Sequence, residues 1–211
     1  VRGPNITTGY YREPALTAAA FDEEGFFRLG DAVKLVDPAE PQRGLLFDGR
    51  VSENFKLTSG TWVATGHVRL AAIAAGAPVI QDAVVTGHDR PELGLLIFPN
   101  LTACRALAKG LPADASSEEV IGHPEVRRCL VAGLADYNAA NPANSQRIAR
   151  VLLLTEPPSI DGNEITDKGY INQRAVLERR ASLIEHLYAD DGATDVIVLE
   201  TPPPSRRAAE A

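Results

Sequence analysis

At 211 residues, with 45% hydrophobic and 23% charged residues, the chain is sized for one globular domain with some additional pieces. A net charge of −7 argues against nucleic acid and against an anionic membrane as partners, since either favours a basic face. Cys104 and Cys129 stand in no CxxC or CxxH spacing, so they read as partly buried thiols in a reducing, cytoplasmic compartment and not as a disulfide framework.

Residues 1–50 read as loops and short strands. Gly3-Pro4-Asn5 and Thr8-Gly9 signal turns, and a short helical stretch around Leu16 to Phe21 lies between Glu13-Pro14 and Asp22-Glu23-Glu24-Gly25. Ala32 to Val36 alternates as a half-buried strand does, and Leu45-Leu46-Phe47 follows as its hairpin partner across the turn at 37–44. This stretch carries too little apolar surface for a core of its own.

The pattern changes from Val51. Phe55-Lys56-Leu57 and Trp62-Val63 read as short strands around Gly60, and Val68 to Ala75 reads as a helix. Val79 to Thr86 and Leu93 to Phe98 are strand-like, joined by the hairpin loop Gly87-His88-Asp89-Arg90-Pro91. Helices are expected at 101–109 and 117–138, the second interrupted near Pro124, and Ile148 to Leu154 reads as a strand. One last long helix is expected from Tyr170 to Tyr188. Ile171, Ala175, Ala181, Ile184 and Tyr188 share its apolar face, with Arg179, Arg180 and Glu185 elsewhere.

Strands interleaved with helices indicate an α+β domain over 51–190, preceded by a β-rich stretch at 1–50. A flexible tail is expected over 191–211, ending in the Pro-rich TPPPSRRAAEA. No apolar run is long enough for a membrane span. The chain holds no methionine and opens inside a patterned segment with no signal peptide, so it is expected to be a piece of a longer protein.

Taken singly, the polar candidates are weak. Gly30-Asp31 suits an ordinary turn, Arg50 suits the exposed end of a strand, and Thr58 to Thr61 suits any flexible loop. No GxGxxG, GxxxxGK[ST] or HExxH occurs, and His67, His88, His123 and His186 have no metal-ligand spacing, so no metal site is expected. Lys168 is one of only four lysines in an otherwise arginine-using chain and sits in EITDKGYINQR, just before the last helix.

Order and spacing change that weighting. GPNITTGYYREPALTAAAF, DEEGFFRLGD, GLLFDGR, KLTSG and a late lysine before a final helix follow one another over about residues 3–188. In this series the chain resembles the C-terminal part of the acyl-adenylate-forming superfamily, which includes acyl-CoA and aryl-CoA synthetases and luciferases. SENFKLTSGTWV and EPPSIDGNEITDKGYINQR look most like the feruloyl-CoA synthetases. The resemblance implies a small mobile C-terminal domain with short sheets flanked by helices, preceded at 1–50 by the end of a large N-terminal domain. That missing domain is the expected partner, together with an aromatic carboxylic acid, ATP with Mg²⁺, and coenzyme A. None of these is expected to bind tightly to this piece alone, which is expected to be inactive.

The resemblance also implies roles. Asp31 matches the acid that accepts hydrogen bonds from the ATP ribose hydroxyls, a task that suits a carboxylate. Arg50 matches an arginine that contacts the nucleotide, where a guanidinium fork suits oxygens. Ser52 falls at the hinge, where many relatives carry Asp or Lys; Glu53 is a candidate substitute. Gly60 matches the glycine beside which the pantetheine arm passes, since backbone without a Cβ admits a thin ligand closely. Relatives continue from it with a proline and an acidic residue, and GTWVATGHVR has neither. Lys168 matches the late catalytic lysine, although relatives place it in a Gly-Lys pair followed by a basic residue and the order here is Asp-Lys-Gly. A carboxylate attacking the α-phosphate of ATP needs a cation over the reacting oxygens, and a flexible ammonium supplies one. Glu164 and Asp167 are expected to hold Lys168 when it is away from the site. Two other readings stay open: an adenylating enzyme that passes its acyl group to a carrier-protein thiol, and a non-catalytic binding module that retains the fold.

Overall fold

A strand that is apolar along its whole length needs cover on both faces, whereas an alternating strand needs it on one. The run Leu93 to Phe98 is of the first kind. In the computed structural model of the protein, which describes residues 1–189 and 192–200, it is buried from end to end on an inner strand of the largest sheet.

The chain divides into two units, Val1–Ser52 and the residues from Glu53 on. In the first, α1 (Pro14–Ala20) opens on a proline, whose missing N–H would have had no partner there. β1 (Asp31–Leu35) pairs antiparallel with β2 (Leu45–Arg50). Asp31 faces Arg50 while Val33 faces Phe47, so β2 carries one residue more than β1 across that interval. Gly49, at φ +96°, accommodates the resulting bulge. Val33, Leu45 and Phe47 all stay exposed, and no hydrophobic side chain of this unit is buried.

The second unit opens with a small arm, β3 (Phe55–Lys56) paired with β4 (Trp62–Val63), followed by α2 (Thr65–Ala75). β5 (Ile80–Thr86) and β6 (Leu93–Pro99) form the expected antiparallel pair. α3 (Leu101–Leu107), α4 (Ser117–Gly122) and α5 (Pro124–Ala140) then make the long crossover that a parallel β7 (Ile148–Leu153) requires. A Ser116–Glu119 capping box starts α4, and Pro124 separates it from α5. α6 (Gln173–Arg179), α7 (Ala181–Tyr188) and β8 (Val196–Val198) close the unit, with β8 antiparallel to β7 and a sheet order of β5-β6-β7-β8.

Alternate residues of the strands enter opposite cores. Val85, Leu95, Ile97, Val151 and Leu153 pack with Val68, Ala72, Leu130 and Leu134 of α2 and α5. Val84, Leu96, Phe98 and Leu152 pack with Val176 of α6 and Leu187 of α7. Each fully buried leucine contributes about 1.5–3 kcal/mol, so this two-faced sheet holds the unit together. The chain is an α+β domain of short sheets flanked by helices.

Two expectations need correction. The single helix over Tyr170 to Tyr188 is two helices, starting only at Gln173 and broken at Arg180, where φ is −103° and ψ is +29°. Residues before it serve other ends: Ile171 bridges to Ile165, and Asn172 caps α6 by accepting from the N–H of Ala175. The tail expected from residue 191 is also too long. Val196–Val198 pair with β7, and Ile197 and Leu199 are buried, because the edge of β7 offers backbone partners to a short apolar run. TPPPSRRAAEA lies outside the described residues.

Candidate functional site

In the first unit, the β1–β2 register brings Asp31 and Arg50 opposite each other, with Arg50 Nε 3.9 Å from Asp31 Oδ1. Both are exposed, so the pair adds little to stability and leaves both side chains open to a ligand. Ser52, the last residue of this unit, is exposed in a short 3₁₀ turn, Val51–Glu53. Directly beyond it, the second unit is pinned at its start. Thr65 Oγ1 donates to the Glu53 carbonyl at 2.8 Å, and Asn54 Oδ1 accepts from the Thr65 N–H at 3.1 Å.

Gly60 closes the turn between β3 and β4, donating its N–H to Leu57 O at 2.8 Å with φ +80°. A Cβ there would meet nothing within 4 Å, so the backbone beside Gly60 is open to an approaching ligand. The arm is braced by the β5–β6 loop: Asp89 N donates to Lys56 O at 3.1 Å and Thr58 N to Arg90 O at 3.0 Å. Trp62 stays 62% exposed, with Lys56 Nζ 5.0 Å over its ring.

Lys168 lies on a different loop of the same unit. Ile165 and Ile171 bridge, Thr166 N donates to Tyr170 O at 2.8 Å, and Gly169 N donates to Thr166 O at 2.9 Å. Thr166 to Gly169 thus form a tight turn, and Gly169 takes the φ of +81° that brings the chain back. Lys168 is exposed at the tip and has no hydrogen-bond or ion-pair partner among the described residues. Tyr170, which follows Gly169, is also exposed.

Glu164 does not hold Lys168, and this expectation is overturned. Its side chain is 0% exposed, and both carboxylate oxygens are committed elsewhere. Arg180 Nε donates to Oε1 at 2.8 Å and Nη2 to Oε2 at 2.9 Å, while Ser159 N donates to Oε2 at 2.7 Å. The Arg180 hydrogen bond holds the Glu164 carboxyl below its usual range although burial opposes this. Arg180 itself, expected away from the apolar face, is buried. It also donates to Glu156 O at 3.2 Å and Pro157 O at 2.9 Å and lies over the Phe98 ring at 5.1 Å. Periodicity along one helix gave no sign of this pair, because its partners belong to different elements.

Among the described residues no three His, Cys, Asp or Glu side chains converge to hold a metal, and no helix is long and apolar enough to cross a membrane. Burial pushes the Cys104 thiol up to about 11, which makes it a poor nucleophile.

Short sheets flanked by helices are the fold of the C-terminal domain of adenylate-forming enzymes. Residues 68–192 match the AMP-binding enzyme C-terminal domain, and the chain belongs to that family. It is 28% identical to a probable chloroplastic acyl-activating enzyme of Arabidopsis thaliana, over 89% of this chain and 26% of that protein. A putative fatty-acid–CoA ligase of Mycobacterium tuberculosis is also 28% identical, over 90% of this chain and 32% of that protein. The A domain of carboxylic acid reductase from Segniliparus rugosus, solved with AMP and a co-purified carboxylic acid, superposes with a TM-score of 0.65 at 25% identity. That match covers 89% of this chain and 27% of that one. The chain therefore spans about a quarter to a third of the length of these relatives.

Proposed function

We propose that this chain is the C-terminal portion of an ATP-dependent carboxylic acid:CoA ligase that works through an acyl-adenylate. In the first half-reaction, a carboxylate oxygen attacks the α-phosphorus of Mg·ATP and the bond to the β-phosphate oxygen breaks, releasing pyrophosphate. Lys168 neutralises the charge that gathers on the acyl and phosphoryl oxygens. Asp31 and Arg50 hold the nucleotide through its ribose and phosphate oxygens. In the second, the unit that begins at Glu53 turns about Ser52 and removes Lys168. The Gly60 arm then guides the CoA thiol to the acyl carbon, where the C–S bond forms as AMP leaves. The observation that carries this reading is a lysine with no partner among the described residues at the tip of a glycine-closed turn, in a chain of this family.

The test uses the parent protein that contains this chain. Lys168→Ala is expected to slow ATP–pyrophosphate exchange ~10²–10³-fold while sparing thioester formation from supplied acyl-adenylate. Unchanged exchange rejects the assignment, and Tyr170→Phe in the same assay shows whether the residue after the glycine acts instead.

The acid is proposed to be aromatic, of the hydroxycinnamate or ferulate type, on the likeness of SENFKLTSGTWV and EPPSIDGNEITDKGYINQR to feruloyl-CoA synthetases. The curated relatives include fatty-acid ligases, so a panel of hydroxycinnamic and long-chain acids decides between the two classes. A second reading, transfer to a carrier-protein thiol, is favoured by likeness to a chloroplastic fatty-acid–acyl-carrier-protein ligase of Arabidopsis thaliana. Offering CoA and a phosphopantetheinylated carrier in parallel separates the acceptors.

A further inference from the structure

A carboxylate sealed from solvent four residues before a lysine with no partner among the described residues needs an explanation beyond stability. A buried ion pair is seldom a net gain over apolar residues of similar volume. Glu164 accepts hydrogen bonds from Arg180 at 2.8 and 2.9 Å and from Ser159 N at 2.7 Å, and Arg179 Nε stands 3.9 Å away as a further ion-pair partner. Its backbone is fixed as well, with its N–H on Ser159 O and its C=O accepting from Asn172 N, both at 2.9 Å. Arg180 ties this knot to the carbonyls of Glu156 and Pro157 and to the break between α6 and α7. Between Glu164 and the tip stand only the Ile165–Ile171 bridge and the bonds of the Thr166 turn. The lysine is exposed at the tip while its root is held by these bonds.

We propose that Glu164 is a positioning residue: clamped by Arg180, it sets where the Lys168 turn projects, so that adenylation depends on the buried pair and thioester formation does not. The inference rests on Lys168 being the adenylating cation. A misplacement of about 1 Å at a reacting centre costs ~10²-fold in rate, whereas a reaction from which Lys168 is withdrawn is indifferent to where its turn points.

The experiment measures both half-reactions in the full parent protein carrying Glu164→Gln or Arg180→Lys, each with Lys168 and with Lys168→Ala. Exchange is expected to fall ~10²-fold in either single variant. Thioester formation from supplied acyl-adenylate should stay within the same order of magnitude, and neither variant should add to the loss in Lys168→Ala. An equal loss in both half-reactions overturns the proposal, as does normal exchange in folded Glu164→Gln. Should Glu164→Gln not fold, Arg180→Lys carries the test, since it keeps the charge and gives up the fork. Failure of both to fold also overturns it, because the whole domain then needs the pair. Normal exchange in Lys168→Ala sinks the reading of Lys168 itself, whereas lost exchange there beside normal exchange in Glu164→Gln sinks only the positioning.

Discussion

Arg180 and Glu164 meet fork to fork, at 2.8 and 2.9 Å, with the carboxylate wholly closed to solvent. Removing one partner leaves the other buried and uncompensated. Arg180→Ala is expected to destabilise the chain by about 3–5 kcal/mol, read as a lower urea midpoint at unchanged slope. The joint replacement Glu164→Leu with Arg180→Met is expected to cost much less. Equal losses in the two variants would contradict this account.

The same pair sets an acid limit. The Arg180 hydrogen bond holds the Glu164 carboxyl below its usual value in the folded chain, against the upward push of burial. A group depressed on folding contributes stability that is fully present above its unfolded value and is lost as pH falls through its folded value. Unfolding free energies measured from neutral pH downward should therefore drop below the ordinary carboxylate range, and Glu164→Gln should flatten that limb.

Three glycines separate two kinds of constraint. At Gly60 and Gly169, with φ +80° and +81°, an added Cβ meets nothing within 4 Å, so alanine strains only the backbone, by about 1–2 kcal/mol. At Gly133 in α5 the Cβ would lie 2.0 Å from the carbonyl oxygen of Ala75, where two helices meet closely. Forcing bulk into such packing costs about 1–3 kcal/mol and moves backbone. Thermal melts should place Gly133→Ala below Gly60→Ala and show shifted α2–α5 contacts for Gly133→Ala alone.

If Asp31 holds the ATP ribose in the parent enzyme, Asp31→Ala removes hydrogen bonds from hydroxyls to a charged acceptor. Such a bond is worth about 1.5–3 kcal/mol, so the KM for ATP should rise by roughly 10- to 100-fold. The KM for the acid should change little. A KM for ATP that does not move would remove Asp31 from the nucleotide site.

The central strands were legible because Leu93 to Phe98 carries no polar side chain and β7 carries only one, Arg150. The α4–α5 break was legible because Pro124 cannot donate the N–H that a continuous helix needs. The Asp31–Arg50 pairing was not, because spacing cannot show that Asp48-Gly49 bulges and shifts the register. Glu164 and Arg180 stayed hidden for a related reason. Treating 170–188 as one helix put Arg180 off the apolar face, and a contact across sixteen residues of loop and helix has no period to detect. Gln173 is a similar case: its buried amide bonds both the N–H and the C=O of Val85 on the outer edge of β5, doing the work of a neighbouring strand. β8 was missed because three apolar residues beside a Pro-rich end read as tail.

Every buried hydrophobic side chain among the described residues lies at or beyond Phe55. A recombination crossover placed at Ser52–Glu53 therefore splits no apolar core. The apolar core of the second unit is therefore a cassette for domain exchange, and grafting it onto the large domain of a relative would ask whether the proposed roles of the lysine turn and the glycine arm travel with it.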